Sequence, residues 1–153
     1  MRLRLPPEQA NLLREALRSA GTREIGGQIF GEQLAPSDFL ASAITFQRRP
    51  GTFARFVVDL IQAARDAVRF FDRTDHRYIK FNYIGEWHSH PSFDVRPSAT
   101  DVSAMRALVT DPDFKGNFAV LMITRLDRSN MTIGAWIFDP AGNEQPVTLE
   151  LMQ

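Results

Sequence analysis

Residues 85–101 read GEWHSHPSFDVRPSATD, and how this stretch folds decides the arrangement of everything around it. Two of the chain's three histidines, His88 and His90, stand one residue apart in it. On a β-strand, residues two apart share a face and are separated by about 6.6 Å, at roughly 3.3 Å per residue, so both imidazoles point the same way. Imidazoles so placed can turn their nitrogens toward one ion at about 2.0–2.1 Å, the bond length zinc requires. A catalytic zinc site needs a third protein ligand and leaves a fourth position to water. Asp101, eleven residues past His90, supplies that oxygen if the loop PSFDVRP folds back and a helix starting near Ser98 presents its first turn to the strand end. Ser98 and Asp101 also have the spacing of a capping box, in which Ser98 accepts from the first turn and Asp101 reaches back. The two readings are compatible, because the helix dipole favours a carboxylate there whether or not it binds metal.

Working outward, RYIKFNYIGEWHSHP (77–91) reads as one long strand ended by Pro91, and SATDVSAMRALVTDPD from Ser98 as a short helix. NFAVLMITRL and MTIGAWIFDP follow as two apolar strands joined by the polar turn DRSN, and EQPVTLELM adds an edge strand. Upstream, FARFVVDLIQAARDAVRFFDRT (53–74) begins like a strand and becomes a helix, with Val57, Leu60, Ile61, Ala64, Val68 and Phe71 on one side of a 3.6-residue period. EIGGQIFGEQL (24–34) and DFLASAITFQRR (38–49) read as adjacent strands around a Pro-Ser turn. Paired glycines in the first imply a bend or close approach by another backbone. The first helix begins at Pro6 and Pro7, ends before Gly21 and turns Leu12, Leu13, Ala16, Leu17 and Ala20 toward the core. Helices and strands intermixed in this order predict an α/β fold, a mixed β-sheet flanked by helices, in a single domain over residues 1–153.

Composition narrows the chemistry. Eighteen basic and eighteen acidic side chains cancel and are scattered, which leaves no electrostatic footprint for nucleic acid or an anionic membrane. With no cysteine, thiolate zinc sites, disulfides and cysteine nucleophiles are excluded, so a metal must take nitrogen and oxygen ligands. The N-terminus MRLRLPPEQAN lacks the apolar core of a signal peptide, and no run reaches the roughly 18 apolar residues of a membrane span. A soluble, cytoplasmic protein is expected.

The conjunction HSHPSFDVRPSATD resembles the JAMM/MPN metalloprotease signature: His-x-His, seven residues, then Ser-x-x-Asp, with a proline after the second histidine. EIGGQIFG (24–31) resembles the first sheet strand of that family, where a glutamate precedes a glycine pair, and GEWHSHP resembles its small prokaryotic members. The resemblance implies a cytidine-deaminase-like JAMM/MPN fold and hydrolysis of isopeptide or peptide bonds at the C-terminus of ubiquitin-like proteins. It implies His88, His90 and Asp101 as Zn2+ ligands, Glu24 as general base and acid, and Ser98 as donor to the oxyanion. The implied partner is a ubiquitin-like protein with an extended C-terminal tail. Insertions that grip ubiquitin in larger relatives are short here, so strand addition of the tail to an exposed main-chain edge beside the site is expected instead.

Small prokaryotic relatives occur in ubiquitin-like conjugation operons, including antiphage defence systems, and beside sulfur-carrier proteins that are trimmed before use. Other relatives have lost ligands and serve as non-catalytic scaffolds. Here each ligand position is filled. A nucleoside deaminase on a related fold would need a cysteine pair.

Neighbouring residues have simpler readings. Glu86 shares a face with the histidines by strand parity, and could be the base, an orienting partner or a lip residue. Trp87 should face the opposite side, into the core. His76 reads as a surface loop histidine. Asp94 and Arg96 lie in the loop over the metal position as solvated charges that could touch substrate.

Overall fold

The computed structural model describes residues 1–47 and 60–153. Strand β1 (Arg2–Leu5) leads into helix α1 (Pro7–Ala20). Pro6 occupies the cap, where its fixed φ and missing N–H cost nothing, and the Gly21 N–H closes the far end on the Leu17 carbonyl at 3.1 Å. Gln9, Leu13, Leu17 and Ala20 form the buried stripe. Gln9 is tolerated there because its Oε1 accepts the Ile44 N–H at 3.0 Å. Leu12, expected in the core, is 40% exposed, because it sits about 100° round the helix from Leu13.

Strands β2 (Gly26–Ala35) and β3 (Asp38–Ile44) pair antiparallel around Pro36 and Ser37, as expected. The glycine pair has the predicted close neighbour, since a Cβ on Gly27 would collide with the Thr45 carbonyl. Helix α2 (Leu60–Arg73) matches the later part of the expected 53–74 segment, while Val57 and the strand-like start lie outside the described residues. Its phase differs from the expected one. Ala63 and Phe70 are buried, Ala64 is exposed, and Ile61 and Val68 are 67% and 58% exposed. The Phe70 ring stacks on Phe30 with centroids 4.6 Å apart and Phe71 meets the same ring edge-on. Aromatic area, larger than that of Ile or Val, selects the docking face.

Strand β4 (Phe81–Ser89) is shorter than the expected 77–91. The Lys80 and Phe81 N–H groups both turn back to the Arg77 carbonyl, at 3.0 and 2.9 Å, so residues 77–80 form a turn. Within β4 the register to β2 slips, with Ile29 opposite Gly85 but Phe30 opposite Tyr83. This bulge depends on Gly85, whose φ of 154° and contact with the Val120 backbone exclude a side chain. It brings Tyr83 onto the face that carries Glu86 and His88.

Helix α3 (Ala99–Thr110) and the hairpin of β5 (Ala119–Asp127) with β6 (Asn130–Phe138) follow as expected. The expected edge strand over 144–152 divides in two. β7 (Glu144–Pro146) pairs with β6, and β8 (Thr148–Leu151) pairs with β1. The eight strands run β7-β6-β5-β4-β2-β3-β1-β8 in a mixed sheet. Because β7 and β8 are parts of one short segment, the two ends of the sheet must approach each other, so the sheet curls round. The buried Val147 at the division explains the switch: its N–H still reaches the Ala135 carbonyl at 2.9 Å, and the Thr148 N–H then goes to Met1 at 3.1 Å.

The α1 side of the sheet holds the larger core, with Leu3, Leu13, Ile29, Trp87 and Met122. A smaller core under α3 joins Met105 and Val109 to Leu121, Ile123 and Phe138. Among the described residues no helix is long and apolar enough to cross a membrane.

Candidate metal centre

Alternation along β4 sends Trp87 into the α1 core, where it is fully buried and donates its indole N–H to the Thr45 carbonyl at 2.9 Å, and sends His88 to the α3 side. His90 follows one residue past the strand, its N–H held by the Thr124 carbonyl at 2.8 Å. The two Nε2 atoms lie 3.0 Å apart. The loop from Pro91 to Pro97 returns the chain to α3, whose first turn carries Asp101. Its Oδ1 is 3.4 Å from His88 Nε2, and its Oδ2 is 3.6 Å from His90 Nε2.

A tetrahedral ion with bonds of about 2.0–2.1 Å has ligand-to-ligand edges of about 3.3 Å; the two imidazole nitrogens lie near that spacing, each faces a different oxygen of Asp101, and one ligand atom from each of the three residues lies within 4.8 Å of the others. Two nitrogens and a carboxylate so disposed fit one small divalent cation. His88, His90 and Asp101 form a group able to hold a metal.

Neighbours prepare these donors. His90 Nδ1 lies 2.8 Å from the Asp94 carbonyl, so an Nδ1–H donates there, and in the neutral imidazole the Nε2 lone pair is then left to face the centre. Asp94, read from sequence as a solvated charge, thus contributes through its backbone. Arg125 steadies the loop by donating to the Phe93 carbonyl at 3.3 Å. The capping box is present as well: the Asp101 N–H donates to Ser98 Oγ at 3.2 Å, while the Ser98 N–H and hydroxyl each donate to Asp101 Oδ2 at 2.7 Å. One carboxylate therefore both caps the helix and faces the imidazoles.

The charges follow from these contacts. Burial pushes Asp101 up, but the hydrogen bonds to His88 and His90, the charge of His88 and the Ser98 hydroxyl together hold it far below the ordinary carboxylate range. His90 is raised, first by its hydrogen bond to Asp101, against burial, with help from the Asp94 carbonyl and the charges of Asp101 and Glu24.

Glu24 sits just before β2 and is 8% exposed, so it is not a solvated strand-start charge. It lines the same cavity of about 880 Å3 as His88, His90, Ser98 and Asp101. A residue that sequence reasoning passed over holds it there. Ser89, between the histidines, accepts the Ile25 N–H on its hydroxyl at 3.0 Å and donates its own N–H to the Ile25 carbonyl at 2.8 Å. Glu86 lines the cavity too, on the predicted face, and Arg96 reaches its rim. His76 is exposed, as expected, beside Asp72 at 3.1 Å and the Tyr78 hydroxyl at 2.7 Å. β2 and β4 each pair on both sides, so strand addition of a substrate tail has no edge of either to use.

A family model described as prokaryotic homologs of the JAB domain matches residues 6–138. The chain belongs to this family. Solved structures agree at the level of fold for this prokaryotic JAB domain. The solution structure of protein DSY2949 from Desulfitobacterium hafniense superposes with a TM-score of 0.70 at 16% identity, covering 99% of this chain and 93% of that one. AF2198, a JAB1/MPN domain protein from Archaeoglobus fulgidus, gives 0.53 at 18% identity, covering 99% and 98%. No curated protein matches the chain. The resemblance read from residues 24–31 and 85–101 is therefore that of the whole JAB/MPN fold.

Proposed function

We propose that this JAB domain is a zinc-dependent hydrolase that cleaves the peptide or isopeptide bond following the C-terminus of a ubiquitin-like modifier. The supporting observation is the convergence of His88 Nε2, His90 Nε2 and the Asp101 carboxylate within 4.8 Å of one another in a cavity that Glu24 also lines. A zinc ion held by those three groups would polarise the scissile carbonyl and lower the pKa of a water toward about 7. The protein's part is then proton traffic and positioning. Glu24 takes the proton of the attacking water and delivers it to the leaving nitrogen. The Ser98 hydroxyl turns from Asp101 to donate to the oxyanion, while the Ser98 N–H stays on Asp101 Oδ2 and keeps the ligand oriented. The modifier's tail lies extended in the cavity, where a Gly-rich sequence would fit against Phe93 and the loop after His90.

The test is the zinc-loaded protein against a modifier ending in di-glycine fused to a reporter, compared with Glu24→Gln. Zinc content should be equal in both and hydrolysis confined to the wild type. Cleavage by Glu24→Gln at the wild-type rate would refute the assignment of the base. A wild type that holds zinc yet cleaves none of the fusions would mark the domain as a scaffold.

A further inference from the structure

We propose that Gly134 on β6 is a positioning residue for the metal centre: its bare Cα seats the loop that follows His90, and that seat aims the His90 imidazole. The proposal rests on the metal-binding part of the reading above. Gly134 lies opposite Ile123 of β5, and Trp136, two residues on, lies opposite Leu121, so all four share the α3 side of the sheet. A Cβ placed on Gly134 would overlap the Val95 carbonyl oxygen and the rim of the Trp136 ring. Gly134 is not among the glycines with positive φ, so space, rather than backbone conformation, excludes a side chain there. A glycine inside a strand marks a close approach by another backbone, and here that backbone is the loop over the metal position.

Val95 follows Asp94, whose carbonyl accepts the His90 Nδ1–H at 2.8 Å. The two carbonyls belong to consecutive peptides, so the seat of one limits where the other can lie. Restoring an ordinary van der Waals separation of about 3.5 Å to a Cβ on Gly134 would move the Val95 carbonyl by roughly 1 Å. A shift of that size in the neighbouring peptide takes the bond from Nδ1 past the limit of about 3.2 Å. The imidazole is then free to turn, and to take the tautomer whose Nε2 carries the proton and cannot bind a metal. Arg125 of β5 holds the same loop one residue earlier, at the Phe93 carbonyl, and the Val95 side chain packs on the α3 core. Arg125 is a movable clamp, whereas the Gly134 backbone is a fixed stop.

Chelator competition for zinc on the full chain tests this, with melting curves verifying that each variant is folded. Gly134→Ala should weaken zinc binding by about 10- to 100-fold, the range for losing a partner behind a metal ligand. Gly31→Ala, which crowds the Ile84 side chain in the larger core, is the control and should bind zinc as the wild type does. Gly134→Ala/Trp136→Phe separates the two neighbours, since the smaller ring makes room and leaves only the carbonyl overlap; its zinc binding should stay weak. By NMR, the His90 Nδ1–H resonance sheltered by the Asp94 carbonyl should be present in the wild type, with or without zinc, and lost in both Gly134 variants. Wild-type zinc affinity or an unchanged Nδ1–H resonance in folded Gly134→Ala overturns the proposal, as does recovery in the double variant, which also decides the matter if Gly134→Ala does not fold. If the wild type takes up no zinc, the hydrolase reading fails, and the Nδ1–H resonance alone decides the seat, its survival in the Gly134 variants counting against it.

Discussion

The two faces of β4 differ as sharply as any two regions of the molecule. Toward α1, Trp87 is sealed among aliphatic side chains, and its one polar atom is satisfied by Thr45. Toward α3, one residue either side, Glu86 and His88 border a cavity that Glu24, His90 and Asp101 also line. A packed face has its groups fixed by one another, whereas a polar face must be fixed from behind. The α1 core supplies that backing, so the site can hold imidazoles 3.0 Å apart without collapsing round them.

Substitutions on the two faces should therefore separate stability from metal binding. Trp87→Ala should have the largest effect, costing about 3–5 kcal/mol in denaturant unfolding, while the folded fraction still takes up zinc. Loss of zinc by a fully folded Trp87→Ala would break the distinction. On the other face, His88→Ala or Asp101→Asn should weaken zinc binding by more than about a hundredfold in a chelator competition, beyond the effect of an outer partner. Asp101→Asn should also cost about 1 kcal/mol of metal-free stability through the capping box. Retained zinc in either variant would remove the metal centre as described.

Ser89→Ala sits on the seam between the faces. Losing the acceptor for the Ile25 N–H should cost about 1–2 kcal/mol, and turnover should fall further than stability because Glu24 loses its anchor. Parallel losses would show that Ser89 serves the fold alone.

The pH response sharpens the contrast further. In the metal-free protein His90 is raised, mainly by Asp101, and Asp101 is depressed by the histidines against its burial. The His90 contribution to stability is full below the unfolded imidazole value of about 6.5 and is lost as pH rises through the raised folded value. The Asp101 contribution is present above about pH 4 and is lost as pH falls through its depressed folded value. Zinc requires neutral imidazoles, so added zinc should raise the melting temperature more at pH 8 than at pH 6. Equal shifts at both would argue that the histidines are not the ligands. The smallest effect belongs to Leu12→Ala, within about 0.5 kcal/mol, against about 2–5 kcal/mol for its buried neighbour Leu13→Ala.

The site was more legible in the sequence than the packing around it. His88, His90, Ser98 and Asp101 lie within 14 residues of one another, close enough for strand parity and helix capping to fix their relative positions. Glu24 became visible only through the family pattern, since nothing local distinguishes it from a solvated charge. The docking face of α2 was misread because that helix carries apolar residues on two sides, and only the Phe30 ring opposite decides between them. The Asp94 side chain is solvated, as read, and the part its carbonyl plays was not legible because no side-chain pattern encodes a backbone acceptor.

By itself, then, the sequence determined the elements and the pair of imidazoles beside a first-turn carboxylate, because periodicity and capping are properties of adjacent residues. Tertiary structure decided the rest: the bulge at Gly85 that turns Tyr83 to Glu86, the division of residues 144–151 between two sheet edges, and the clamp from Ser89 that sets Glu24 in the cavity. Each depends on hydrogen bonds between strands far apart in the chain, and such partners are chosen by which surfaces meet in the folded core.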